Sequence, residues 1–190
     1  MQGSLVGTMT SQGRARDKME RRSTALPRRV LGIDPGLGVS GYCVVDERGS
    51  GGTLVHSGAL RTRASESRAV RLHRIFDLVT SLLAEYAPHE VAIEQQFVAE
   101  NVRSAMAIGE ARAAAMVAAA AAGIPVFEFA PTAVKESVVG WGGAPKEQVA
   151  QMVAIHLGVT EVPGPLDVSD AAAVALTRLA EARLEAAMAR

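Results

Sequence analysis

Residues 30–45, V-L-G-I-D-P-G-L-G-V-S-G-Y-C-V-V, leave a folding chain few options. Val30, Leu31, Gly32 and Ile33 make a short apolar run that ends on Asp34, and the Pro35-Gly36 pair that follows cannot continue a buried strand. A second run, Tyr42 to Val45, is aromatic and β-branched, so the two runs and the glycine-rich turn between them predict a β-hairpin. The Asp34 carboxylate then stands at the end of a strand. Gly36, Gly38 and Gly41 spell G-x-G-x-x-G, but the dinucleotide-binding fingerprint requires a helix directly after its glycines. Here a strand pattern follows, and Gly49, Gly51 and Gly52 interrupt the chain soon after, which excludes that reading. What remains is a carboxylate on a sheet edge beside a loop of little bulk, where a phosphate backbone can come close.

A chain of 190 residues with 48% hydrophobic content can bury a core as one domain, and no second domain is needed. No apolar run is long enough to span a bilayer and the first residues lack a secretory apolar segment, so the expected location is the cytoplasm. The single cysteine, Cys43, excludes an internal disulfide; its place in an apolar strand predicts a packed thiol rather than a nucleophile. Residues 1–28 are polar and lack apolar periodicity, which predicts a disordered basic arm ahead of a folded domain over 29–190. Residues 1–29 carry seven basic side chains against Asp17 and Glu20, a local charge of +5, so the remainder of this zero-net-charge chain carries −5. A nucleic-acid partner must therefore be argued from local clusters and metal ions, not from net charge.

Beyond the hairpin, residues 52–60 read as a third strand of mixed polarity, suited to a sheet edge. From 66 to 86, Val70, Leu72, Ile75, Phe76, Val79, Leu82 and Leu83 recur at helical spacing. Residues 90–95, E-V-A-I-E-Q, repeat the opening theme of an apolar strand closing on a carboxylate, Glu94. A long alanine-rich helix over 101–122 stops at Gly123, and its small side chains imply a close approach to a neighbour. A strand over 125–129, a short helix over 131–139, a helix over 145–157 and a terminal helix opened by L-D-V-S-D at 166–170 complete the chain. This order indicates an α/β fold, a mixed sheet flanked by helices.

Asp34 and Glu94 end strands, while Asp167 and Asp170 lie three apart at a helix start and so share a face. Carboxylates of this kind are hard oxygen ligands suited to Mg²⁺ or Mn²⁺, and two such ions activate water and stabilise a leaving oxygen in phosphodiester hydrolysis. Each acid also has a plainer reading: Asp167 as a helix cap with Asp170 in the first turn, Asp34 as a turn former, Glu94 as a strand-end charge. The histidines His56, His73, His89 and His156 show no metal-ligand spacing, and no serine or cysteine triad has local support.

Three segments, G-I-D-P-G-L-G at 32–38, A-I-E-Q-Q-F at 92–97 and L-D-V-S-D-A-A-A at 166–173, resemble the three acidic motifs of the RuvC-type Holliday junction resolvases. The resemblance continues through Ser104-Ala105-Met106, Gly109-Glu110-Ala111-Arg112, residues 125–128, Val134-Lys135 and Val138-Val139-Gly140, covering about residues 29–180 in order. It implies a ribonuclease H-like five-stranded sheet and a homodimer that nicks opposed strands of four-way DNA junctions with Mg²⁺, with a branch-migration motor complex as partner. It also implies that Asp34, Glu94, Asp167 and Asp170 hold two metal ions, that Lys135 and Lys146 meet DNA, and that Phe97 stacks at the junction centre. Departures from the pattern are Trp141 in place of an aliphatic residue, Ala113 in place of glycine, and Ser169 in place of a small apolar residue. Other readings stay open: a ribonuclease H-like nuclease acting on RNA or another branched substrate, and a junction-binding scaffold that does not cut. An actin-like ATPase needs roughly twice the length for its two domains.

Overall fold

A computed structural model of the chain describes residues 26–95 and 102–189. Nearly all of the expected basic arm, and Phe97, lie outside the described residues.

The hairpin forms where the two apolar runs place it. β1 (Arg29–Asp34) pairs antiparallel with β2 (Val39–Arg48), and β2 pairs antiparallel with β3 (Gly51–Arg61). β4 (Glu90–Glu94) pairs parallel with β1, and β5 (Val126–Phe129) parallel with β4, so the sheet order is β3-β2-β1-β4-β5. β3 is at an edge, as its mixed polarity predicts. Parallel pairing needs a crossover, and α1 (Arg68–Tyr86) provides it between β3 and β4. α2 (Val102–Ala121) links β4 to β5, and α3 (Pro131–Val139), α4 (Lys146–Leu157) and α5 (Leu166–Met188) follow. No helix among the described residues is long and apolar enough to cross a membrane.

Strand side chains alternate between faces, and this divides the core in two. Leu31, Ile33, Val44, Val91 and Ile93 pack on one face with Ile75, Val79, Leu82 and Leu83 of α1 and Ala111, Ala115, Ala118 and Ala119 of α2. Val30, Cys43, Val45 and Ala92 pack on the other with Val134, Val153, Leu157 and the run Ala171–Leu176. Cys43 is fully buried in this second layer, and burial pushes its thiol up to about 12, as suits a packing residue.

The helix that approaches the sheet most closely is α5, not the alanine-rich α2, which packs mainly against α1. Two glycines permit this. A Cβ on Gly32 would sit 2.0 Å from the Ala171 carbonyl oxygen, and one on Gly41 would sit 2.0 Å from that of Asp167. The start of α5 therefore rests on the backbones of β1 and β2. At its far end, the buried Arg178 guanidinium bonds Glu90, Glu181 and Glu185 and lies 3.7 Å from the Phe127 ring centroid. That cluster ties α5 to β4 and β5 at the end of the sheet opposite Glu94.

Candidate active site

Asp34 and Glu94 meet because of strand register. Ile33 pairs with Ile93, so the next residue on each parallel strand reaches the same sheet edge. Both carboxylates share the face of Gly32 and Ala92, which is the face covered by α5. The first turns of α5 carry Asp167 and Asp170 over that edge, and Pro165, not Asp167, occupies the helix cap. The turn after Asp34 is likewise held by another residue. Ser40 Oγ accepts from the Gly36 amide and donates to the Gly36 carbonyl, while Arg71 and Thr62 both donate to the Leu37 carbonyl. The capping and turn-forming readings of these two aspartates therefore lose their structural basis.

Asp34, Glu94 and Asp170 line an open cavity of about 230 Å³ together with Lys135, Lys146, Pro131, Val134, Val149 and Ala173. Asp167 does not line it, but its charge still acts on Asp34. Lys146 donates to Asp170 Oδ2 at 3.3 Å. Among the described residues, no three acidic, imidazole or thiol groups converge as closely as a ready-made coordination sphere requires.

The electrostatics say what is missing from this cluster. Burial, then the charges of Glu94, Asp170 and Asp167, push the Asp34 carboxyl up to about 7. Burial and Asp170 push Glu94 up to about 7 as well, with Lys146 and Lys135 pulling the other way. Two lysines thus fall short of neutralising the acids. A donor set made only of hard carboxylate oxygens, with an unmet demand for positive charge and space beside it, fits divalent cations of the Mg²⁺ type.

A pH dependence follows. Both carboxyls are raised above their unfolded values of about 4, so their protonated forms favour the folded state at low pH and that contribution is lost as pH rises through about 7. Glu66 and Glu185, held low by hydrogen bonds from the Arg63 amide and from Arg178 respectively, act oppositely and only at more acidic pH. In metal-free buffer the melting temperature should therefore fall between about pH 4 and pH 7. Millimolar Mg²⁺ should restore it most at the alkaline end. A flat profile in calorimetry, with or without Mg²⁺, would show that the acids do not carry this burden.

The structure thus brings together Asp34, Glu94, Asp170, Lys135 and Lys146, with Asp167 one turn away, and leaves Phe97 outside the described residues. Sequence reasoning overlooked Gly32, Gly41, Ser40 and Arg71, which set the acids in place. A glycine inside an apolar strand run, as at Gly32, is the available signal for a close backbone approach.

The family model for the crossover junction endodeoxyribonuclease RuvC matches residues 30–178. The chain is 48% identical over 153 residues to the crossover junction endodeoxyribonuclease RuvC of Trichlorobacter lovleyi, covering 80% of this chain and 84% of that relative. To the Brevibacillus brevis protein of the same name it is 43% identical over 149 residues, covering 78% and 90%. Thermus thermophilus RuvC, solved in complex with Holliday junction substrate, superposes with a TM-score of 0.80 at 38% identity, covering 83% of this chain and 96% of that one. The yeast mitochondrial Holliday junction resolvase Ydc2 shares the fold, with a TM-score of 0.62 at 15% identity over 90% of this chain and 87% of that one.

Proposed function

Since this chain belongs to the RuvC family of crossover junction endodeoxyribonucleases and has its ribonuclease H-like sheet, we propose that it resolves four-way DNA junctions by hydrolysing two opposed strands at the acidic site. The observation that carries the proposal is the convergence of Asp34, Glu94 and Asp170 with Lys135 and Lys146 around one open cavity at the sheet edge. The alternatives left open by the sequence lose ground: the family match runs to DNA junction nucleases, and the intact acidic set gives a non-cutting scaffold no reason to hold destabilising carboxylates.

Each residue has a task in this reading. Asp34, Glu94, Asp167 and Asp170 would hold Mg²⁺, or Mn²⁺ in its place, two ions per site; when bound, these supply Lewis-acid polarisation and neutralise charge on the phosphate. Lys146 exchanges its Asp170 partner for a phosphate oxygen, and Lys135 supplies a second charge from α3. The small Gly36–Gly38 loop leaves room for a strand to reach Asp34, and a shallow depression lined by Gly36, Gly38, Arg68, Arg71 and Arg103 continues from it as a basic path for the backbone. Lys135→Ala and Lys146→Ala should each weaken junction binding and reduce the slope of affinity against salt by about one. Unchanged slopes in both variants, read by anisotropy, would remove the lysines from the DNA path.

Pairing of the sites comes from a second copy. α2 buries Ala111, Ala115, Ala118 and Ala119 and exposes Val102, Met106, Gly109, Ala113, Val117 and Ala120, spaced by three and four on one apolar stripe. Two such stripes packed isologously form a homodimer whose two sites suit a two-fold junction. Met106→Glu should convert dimer to monomer in light scattering and abolish paired cutting while the protein stays folded; an unchanged mass would rule out this face. The same reading has the dimer act in the cytoplasm alongside a branch-migration motor complex. The decisive assay compares a four-way junction, linear duplex and an RNA–DNA hybrid with Mg²⁺ present. Symmetric nicks in the junction alone are expected, and equal cutting of all three would overturn the substrate assignment.

A further inference from the structure

Trp141 is the only tryptophan of the chain, it stands where the family pattern expects an aliphatic residue, and 61% of it is exposed. Exposing most of so large an apolar ring gains nothing for folding, so its position asks for another account. The loop that carries it is built tightly. Gly140 ends α3 in the left-handed region at φ 85°, donating its amide to the Glu136 carbonyl. The chain then doubles back along α3: a Cβ on Gly142 would stand 3.3 Å from the Thr132 carbonyl oxygen, in the helix's first turn. Gly143 lies against the indole, where a Cβ would be 2.6 Å from the six-membered ring. The Ala144 amide closes the turn on the Trp141 carbonyl. Lys146 follows two residues later, paired with Asp170.

This return brings the Gly142 backbone to the first turn of α3, next to residues of the cavity wall, although Trp141 itself does not line the cavity. Thr132 adjoins Pro131 and precedes Val134 and Lys135, all three of which line the acidic cavity, and Lys146 lines it from the other end of the loop. Trp141 is thus carried by the short segment between the two lysines that flank the acids, on a backbone held by glycine contacts. A strand that entered the cavity between those lysines would bring the nucleotides next to the cut to this loop.

We propose that Trp141 stacks on a nucleobase flanking the scissile phosphate and so adds affinity for the cut strand, an inference that rests on the proposed junction-cleaving function and assigns this site a sequence-tolerant base platform. Two properties favour a base over a protein side chain as the occupant. Flanking lysines select a polyanion, and a preset indole beside a basic track is the arrangement that holds unstacked nucleotides. Stacking also tolerates any base, since each has a π-face, so the residue adds affinity without dictating sequence.

Because Trp141 is the only tryptophan, its emission reports this contact in the unmodified protein. Titration with a four-way junction in Ca²⁺, with binding followed in parallel by anisotropy of labelled DNA, should quench Trp141 emission and shield it from acrylamide as the junction saturates. Trp141→Leu should weaken junction affinity by roughly five- to a hundred-fold, Trp141→Phe should recover most of it, and kcat at saturating junction should hold while KM rises. Binding by anisotropy with emission and acrylamide access unchanged would overturn the base platform and leave the junction-cleaving function standing. Absence of junction binding would overturn both. Loss in Trp141→Leu with an equal loss in Trp141→Phe would likewise count against stacking.

Discussion

Asp34→Asn should lose cleavage by about three orders of magnitude or more while junction binding stays equal to the parent protein or becomes tighter. Asp34 ends the central strand, shares the cavity with Glu94 and Asp170, and feels the charge of all three other acids. On the proposed metal-dependent reading, removing its charge would take a ligand from ions that contribute several kcal/mol to the transition state, at tenfold in rate per about 1.4 kcal/mol. The amide keeps the size of the carboxyl, and the Gly36–Ser40 turn is held by Ser40, so the fold has no reason to suffer. Stability should in fact rise. A carboxyl pushed up to about 7 is charged at pH 8 against the preference of its surroundings. Neutralising it should raise metal-free stability on the order of 1–4 kcal/mol, since each unit of raised pKa is worth about 1.4 kcal/mol. The gain should shrink as pH falls below about 7 and vanish only below about 4, where the carboxyl is protonated in the unfolded chain as well, and Mg²⁺ should stabilise the variant less than the parent. A turn-forming aspartate predicts the opposite pattern, lower stability with normal cutting, so melting temperature and cleavage on one variant separate the two.

Gly41→Ala should damage the site without touching any charged group. The added methyl meets the Asp167 carbonyl oxygen at 2.0 Å, and that oxygen belongs to a helix backbone which cannot step aside as a flexible side chain can. α5 must lift from the sheet, at a cost of about 1–3 kcal/mol for overpacking a close contact. Asp167 and Asp170 ride on the displaced turns, so cleavage should fall by an order of magnitude or more, because small displacements of catalytic groups are costly. Gly32→Ala, which meets the Ala171 carbonyl oxygen at 2.0 Å one turn further along, should destabilise to a similar degree. Parent-like melting and cutting in both variants would show that the glycines do not seat the helix.

The acids were legible from the sequence because a strand's burial pattern is local. An apolar run that closes on a carboxylate before a turn, as at Asp34 and again at Glu94, locates that carboxylate at a sheet end whatever the rest of the chain does. The rejection of a dinucleotide fold was local too: the glycines of the 36–41 turn lead into β2 and not into a helix. Periodicity also located α1 and the edge strand β3, with ends that agree to within about two residues.

Contacts between distant segments were decided only in three dimensions. That the alanine-rich α2 would pack on α1 while α5 took the seat on the sheet depended on which helix met Gly32 and Gly41, a choice that no window of sequence contains. The pairing of Lys146 with Asp170 spans 24 residues, and the Trp141 loop returns to Thr132 through a close backbone approach at Gly142. The raised carboxyls have the same origin. Asp34 and Glu94 are ordinary acids in an unfolded chain; burial on one sheet edge beneath α5 makes both difficult to ionise. Sequence determined which groups the site contains, because composition and local periodicity are carried by neighbours along the chain. Tertiary structure decided their charge, partners and reach, because these depend on desolvation and on distances that exist only after the sheet and α5 have packed.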